Sequence, residues 1–269
     1  MYKLRLSKSI GFLKEGFYDA IKSAKEDGLE AVDFDICGKW TLNAKDPECH
    51  QWLTSGLEAV KASGLPINGV HIPFGRTWDF SDTCEEIRAE AVASFKSIVP
   101  LIDSYNPHCY VIHGSYEPIE AEDRVAKIAA LKKSLREILE ATKTTIAVEI
   151  LPRTCLCNTA AEAIEIIDSV NAEMNTDQIR ICVDVNHFLQ ESSEDGVLAL
   201  GSRIVTTHIS DHDYINERHW LPGEGKINWM ALIAAFERIG YDGAFNYECG
   251  TSVPEVKENY DKLFGEYNK

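Results

Sequence analysis

Residues 180–187 read RICVDVNH: a short apolar run that ends on a carboxylate, Asp184, followed three residues later by His187. A near-continuous apolar run of this length, rich in β-branched residues, is what a strand of a parallel sheet requires, because helices cover both of its faces. A carboxylate at the end of such a run is costly to bury without a partner. The stretch therefore implies a fold, a parallel sheet, and also a polar group that needs something to neutralise it.

Working outward, the same pattern recurs along the chain. Strands are predicted at 3–6, 31–36, 67–72, 109–113, 145–150, 180–185, 204–209 and 244–248. Helix-period segments separate them. In 121–142, for example, Val125, Ile128, Leu131, Leu135 and Ile138 recur at three- and four-residue steps, the stripe of a helix packed on a sheet. Ser192 and Asn158 stand where helix N-caps belong, and Gly28, Gly64 and Gly240 where helices stop. Eight strand–helix repeats in 269 residues favour a closed (β/α)8 TIM barrel over an open doubly wound sheet, since such barrels run to roughly 250 residues. With no linker, low-complexity segment or composition shift, residues 1–269 read as one domain.

Six successive predicted strands carry a histidine or carboxylate at or near the C-terminal end: His71, His113, Glu149, Asp184 with His187, His208 and Glu248. A barrel gathers these ends at one mouth, where enzymes of this fold place their chemistry. Any one of the histidines is explained by ordinary packing. Together they are explained more simply by a shared divalent cation, for which carboxylates and neutral imidazoles are ligands. Glu149, Asp184, His208 and Glu248, from strands five to eight, form the expected metal set. Three carboxylates and one imidazole suit Mn²⁺, Co²⁺ or Mg²⁺ and tolerate Zn²⁺. His187 is placed to touch substrate or a second ion.

Composition narrows the partners. Forty-three acidic against 27 basic residues give a net charge of −16, which disfavours nonspecific binding to nucleic acid or an anionic membrane. No run reaches the roughly 18 apolar residues of a membrane span. Residues 1–17 show no apolar core with a cleavage site, so a cytoplasmic location is expected. Eight cysteines are too dilute for a disulfide scaffold, and Cys109, Cys182 and Cys249 sit in or beside strand-like runs as small hydrophobes.

The motifs VEI around Glu149, VDVNH at 183–187, HISD at 208–211 and HWLPGEGKINW at 219–229 resemble the xylose-isomerase-like barrel superfamily over essentially the whole chain. Its members include sugar isomerases and ketose 3-epimerases, hydroxypyruvate isomerase-like enzymes, dehydratases of keto-polyols and apurinic-site endonucleases. In the isomerase and epimerase branch, the resemblance implies that Glu149, Asp184, His208 and Glu248 hold one divalent metal. It also implies that Glu149 and Glu248 exchange the substrate proton through a metal-stabilised cis-enediolate. In the endonuclease branch, residues matching His71, His113, His187 and His219 bind further zinc ions. The chain keeps all four but has Glu217 where that branch has aspartate. A dehydratase, a phosphodiester hydrolase and a catalytically inert sugar-binding barrel are the alternatives to a sugar isomerase, and a homodimer is a common superfamily arrangement. The net charge and the short loop PFGRTWDFSD at 73–82, with its one arginine, weigh against the nuclease.

For substrate contacts, Arg76 and Arg153 follow strands at the expected mouth, where an arginine can clamp a phosphate or carboxylate bidentately. Trp78 and Trp220 lie in loops where an indole can cover a sugar ring, and Lys226 is a weaker candidate. Trp229 reads as core. Asp33 and Asp35 share one face of strand two, at the mouth or hydrogen-bonded near Arg76 or Lys39. Cys155 and Cys157 read as loop thiols, and Gly223–Gly225 as a turn that positions His219.

Overall fold

A computed structural model describes residues 1–37 and 42–269, so Lys39 lies outside the described residues. Strands β1 (Arg5–Gly11), β2 (Ala31–Asp35), β3 (Ile67–His71), β4 (Cys109–Ile112), β5 (Thr145–Glu149), β6 (Ile179–Asp184), β7 (Ile204–His208) and β8 (Ala244–Tyr247) alternate with eight helices. These are α1 (Phe17–Ala24), α2 (Pro47–Ser63), α3 (Glu85–Asp103), α4 (Arg124–Leu139), α5 (Ala160–Met174), α6 (Ser193–Leu200), α7 (Trp229–Arg238) and α8 (Val253–Tyr267). Each paired strand runs parallel to its neighbours, and β1 pairs with both β2 and β8. The ring closes between β7 and β8 through a bridge of Ile209 to Tyr247 and the hydroxyl of Thr207, which donates to Ala244 O and accepts from Asn246 N. The chain is a single-domain TIM barrel. No helix among the described residues is long and apolar enough to cross a membrane.

Helix limits follow local chemistry. Ser192 caps α6 as expected, accepting from Asp195 N. Thr159 rather than Asn158 caps α5, because the Asn158 side chain is committed to Arg153 O and Arg124. Gly64 ends α2 in the left-handed region that favours glycine. On α4, Leu131, Leu135 and Ile138 are buried, whereas Val125, in the first turn, is 79% exposed.

The two faces of the sheet differ in kind. Residues such as Phe34, Tyr110, Ile146, Val148 and Phe245 join the large core under the helices. Inside the barrel, Cys109, Val111, Ala147 and Cys182 form a separate small cluster. Polar residues share that interior. Asn68 Nδ2 donates to Asp33 Oδ1 (2.7 Å) and Thr206 Oγ1 (2.8 Å), and Asn246 donates to Ser9. Asn68 sits at a register irregularity between β2 and β3, which re-aims a side chain that regular alternation would turn outward. Gly69 lies where a Cβ would come within 2.8 Å of the Asp33 carboxylate, so glycine makes room for it.

β1 differs from expectation, running from residue 5 to 11 instead of 3 to 6. Ser7, Lys8 and Ser9 lie beyond the expected strand, yet Ser7 is buried and Lys8 is held by a hydrogen bond to Cys249 O. A strand facing a polar barrel interior lacks the apolar signature.

The Thr207 hydroxyl bridges the one seam that has no regular ladder. Thr207→Val keeps its shape and strands the Asn246 N–H, which should cost about 1–3 kcal/mol. Urea denaturation checks this, and an unchanged midpoint would contradict the closure described.

Candidate metal and substrate site

Four strand ends bring Glu149, Asp184, His208 and Glu248 together, with one potential ligand atom from each lying within 4.8 Å of all the others. Glu149 is 1% exposed. His208 turns Nδ1 toward the group, 3.3 Å from Glu149 Oε1 and 3.3 Å from Glu248 Oε2, so both glutamates converge on one ring nitrogen. Its Nε2 faces the opposite way, 3.5 Å from Asp33 Oδ2. Asp33 therefore lies beneath the site instead of bonding to Arg76. Asp35 lines the mouth, where its Oδ1 accepts from Cys37 N.

Glu149 is also the meeting point of a second group. Its Oε2 lies 3.1 Å from His71 Nε2 and 3.2 Å from His113 Nε2. His187 Nδ1 donates to Ile150 O and lies 3.3 Å from Asp184 Oδ2, while its Nε2 lies 3.3 Å from Glu217 Oε2. His219 packs edge-on to His187 and approaches Glu248. All seven strand-end residues gather at one mouth; His71, His113, Glu149, His187 and Glu248, with Glu217 and His219, line a cavity of about 400 Å³, and Asp184 and His208 lie behind that lining.

The charges are strongly coupled through space. Burial pushes the Asp184 carboxyl up to about 7; His187 opposes the shift, and Glu248 and Glu149 add to it by repulsion. Burial also disfavours a charged Glu149, but His113 and His208 outweigh it and hold that carboxyl well below the usual range. For His208, burial is outweighed by Cys182, Glu248 and Glu149, so its imidazolium persists well above the ordinary histidine range. Asp184 Oδ2 is buried with no aligned hydrogen-bond donor among the described residues. An orphaned oxygen, a carboxyl driven toward its neutral form and a donor set of three carboxylates with one imidazole fit a divalent cation.

The substrate candidates separate. Arg153 lines the cavity, in the left-handed backbone region at φ 52°, with its guanidinium engaged by Glu117, Asn216 and Glu217. Arg76 is exposed in a 3-10 turn and does not line the cavity. Trp78 is 1% exposed and packs edge-on to Phe80 in the core, because the loop after β3 folds back onto α3. Trp220 is 39% exposed, pairs its backbone with Asp211 and faces the Arg218 guanidinium, away from the cavity lining. Lys226 is exposed outside the lining, and Trp229 is core. Cys155 lines the cavity as a thiol pushed up to about 12 by burial, and Cys157 is buried.

Several residues at this mouth escaped sequence reading. Glu117, in the loop after β4, has no motif to mark it. Asp211 had a signal, as the last residue of HISD. It is buried, and accepts from His212 N, Gly223 N, Ile227 N and Trp229 Nε1. Gly225 approaches so closely that a Cβ would come within 2.3 Å of Asp211 Oδ1 and His212 O. The turn at 223–225 is thereby fastened to the loop that carries His219.

A parallel eight-stranded barrel with a carboxylate–histidine cluster at the C-terminal ends of its strands is a recognisable class of protein. The chain belongs to the xylose isomerase-like TIM barrel family, whose model matches residues 21–264. An uncharacterised protein of Sinorhizobium fredii is 27% identical over 110 residues, which is 35% of either chain, so the match spans about a third of that relative's length. Among solved structures, a D-tagatose 3-epimerase-like protein aligns with a TM-score of 0.79 at 19% identity, covering 98% of both chains. A D-psicose 3-epimerase from Clostridium cellulolyticum H10, solved with D-tagatose, aligns at 0.76 and 16% identity, again covering 98% of both.

Removing the Asp211 carboxylate leaves four donors without their acceptor. Asp211→Ala should cost about 3 kcal/mol or more and open the segment 212–228 to protease. An unchanged unfolding midpoint with an equally protected loop would show that this anchor is dispensable.

Proposed function

We propose that the chain is a divalent-metal-dependent isomerase or epimerase acting on a ketose or related keto-polyol. The observation that carries this reading is the pair of glutamates, Glu149 and Glu248, each 3.3 Å from His208 Nδ1 within one four-residue donor cluster. The structural similarity to proteins named as D-tagatose 3-epimerase-like and D-psicose 3-epimerase supports the same class. Glu149, Asp184, His208 and Glu248 would hold the ion, which as Mn²⁺, Co²⁺, Mg²⁺ or Zn²⁺ supplies positive charge where an oxyanion develops next to a departing C–H proton. The protein groups do the rest. Glu149 is fixed in its ionised form by the surrounding imidazoles and is placed to accept a proton. Glu248, more open to the cavity, would return one that it first takes up from solvent. His187 and His219 border the same space and are placed to position substrate hydroxyls.

A second reading has its own observation. His71, His113 and Glu149 also offer three ligand atoms within 4.8 Å of one another, so a second ion sharing Glu149 would create a multi-metal centre of the kind that hydrolyses phosphodiesters. Cleavage of a duplex carrying an abasic site tests it directly. Five carboxylates in the cavity lining disfavour a polyanionic substrate.

The proposal is tested by incubating metal-reconstituted protein with free ketoses in deuterated water and following label and product. Glu149→Gln should reduce exchange and turnover by about 10²–10⁴-fold with the fold intact. Full activity in that variant would remove Glu149 from the proton path. Metal uptake should also depend on pH in a defined direction. Below about 7 Asp184 carries a proton that the ion must displace, and the His208 imidazolium carries another to higher pH, so affinity should rise with pH through and beyond that region and protons should be released on binding. Calorimetric titration in buffers of different ionisation enthalpy measures both. A pH-independent affinity would place the ion elsewhere.

A further inference from the structure

The cavity that would take the sugar has one arginine among its described lining residues, and that arginine is already occupied. Arg153 Nε lies 2.9 and 3.1 Å from the two Glu117 oxygens, and its Nη2 also donates to Glu117 Oε1. Its Nη1 lies 2.8 Å from Asn216 Oδ1 and 2.9 Å from Glu217 Oε1. Every guanidinium nitrogen is therefore spoken for, and the fork that recognises phosphate or carboxylate elsewhere is filled by Glu117. The loop holds this arrangement from behind, since Asn158 Nδ2 donates to Arg153 O at 2.6 Å. Glu217 is itself tied to His187: burial works against its charge, but the His187 hydrogen bond and Arg153 push its carboxyl down to about 2.

The charge balance points the same way. Asp35, Glu117, Glu149, Glu217 and Glu248 line the cavity against Arg153 and Lys14, which stands exposed at the rim. Asp184 adds a further acid beside Glu149. The carboxylates outnumber the arginine and lysine of the described lining, and a phosphate or carboxylate on the substrate would find no free fork.

We propose that this site selects an uncharged ketose over its phosphorylated or acidic counterparts, and that Glu117 sets the selection by occupying Arg153. The inference rests on the isomerase or epimerase reading for its substrate class, while its charge argument rests on the cavity alone. Glu117 touches no ligand atom of the metal cluster. It is a specificity-determining residue that acts through Arg153.

Binding and turnover of D-fructose and D-tagatose are compared with those of D-fructose 6-phosphate and D-fructose 1-phosphate, on manganese-loaded wild-type protein and on Glu117→Gln and Glu117→Ala. The wild type should favour the free ketoses by about tenfold or more, in calorimetric binding as well as in kcat/KM. Both variants should narrow that ratio by about tenfold through gain on the phosphates, an effect that general loosening of the loop would not produce. A wild type that prefers a phosphate, or a ratio that does not move in either variant, overturns the proposal. Selective binding of the free ketoses without turnover would leave charge selection standing and overturn the isomerase chemistry. Binding of none of the four overturns both.

Discussion

The buried carboxylate of Glu149 is the constraint around which the mouth of this barrel is organised. A carboxylate at a dry strand end is costly unless compensated, and here His71, His113 and His208 compensate it from three different strands or strand ends. Those imidazoles need fixed directions of their own. Asp33 lies behind His208, and Ile150 O orients His187, which completes the ring beside Asp184. Removing any one of them leaves a buried charge facing less than it needs. The site thus has a structural reason to be complete before any substrate arrives.

The rest of the fold supplies room and rigidity for that cluster. Small residues inside the barrel, Ala147, Cys109 and Cys182, cluster with Val111 below the mouth. Asp33, Asn68 and Thr206 form a hydrogen-bonded layer there, made possible by the register irregularity at Asn68 and by the missing side chain of Gly69. Apolar packing under the helices fixes the strand positions, and the polar layer fixes which way the inner side chains point. Function on this scaffold is then a matter of the loops, above all those carrying Glu117, Arg153 and Glu217.

What could be read from the sequence follows from how each group is encoded. Apolar strands ending in a carboxylate or histidine are conspicuous, so the barrel and the converging residues from His71 to Glu248 were visible in one dimension. β1 was misplaced because Ser7 and Ser9 face a polar interior that no outward-looking pattern predicts. Trp78, Trp220 and Arg76 follow strands, but loop course decides where such a side chain ends up, and it takes none of the three to the cavity. Arg153 did reach it. That its fork would be filled by Glu117, 36 residues earlier, depends on how two loops meet and has no signature along the chain.

The central claim is that Glu149, Asp184, His208 and Glu248 form one divalent-cation site. The most direct test is elemental analysis of protein purified without chelators or a histidine tag, alongside its Asp184→Asn variant. An ion, Mn²⁺, Co²⁺, Zn²⁺ or Mg²⁺, should be held tightly at this cluster in the wild type and lost in the variant, whose unfolding midpoint should remain close to that of the metal-free wild type. Equal metal content in the two proteins, or no metal in the wild type even after reconstitution, would contradict it.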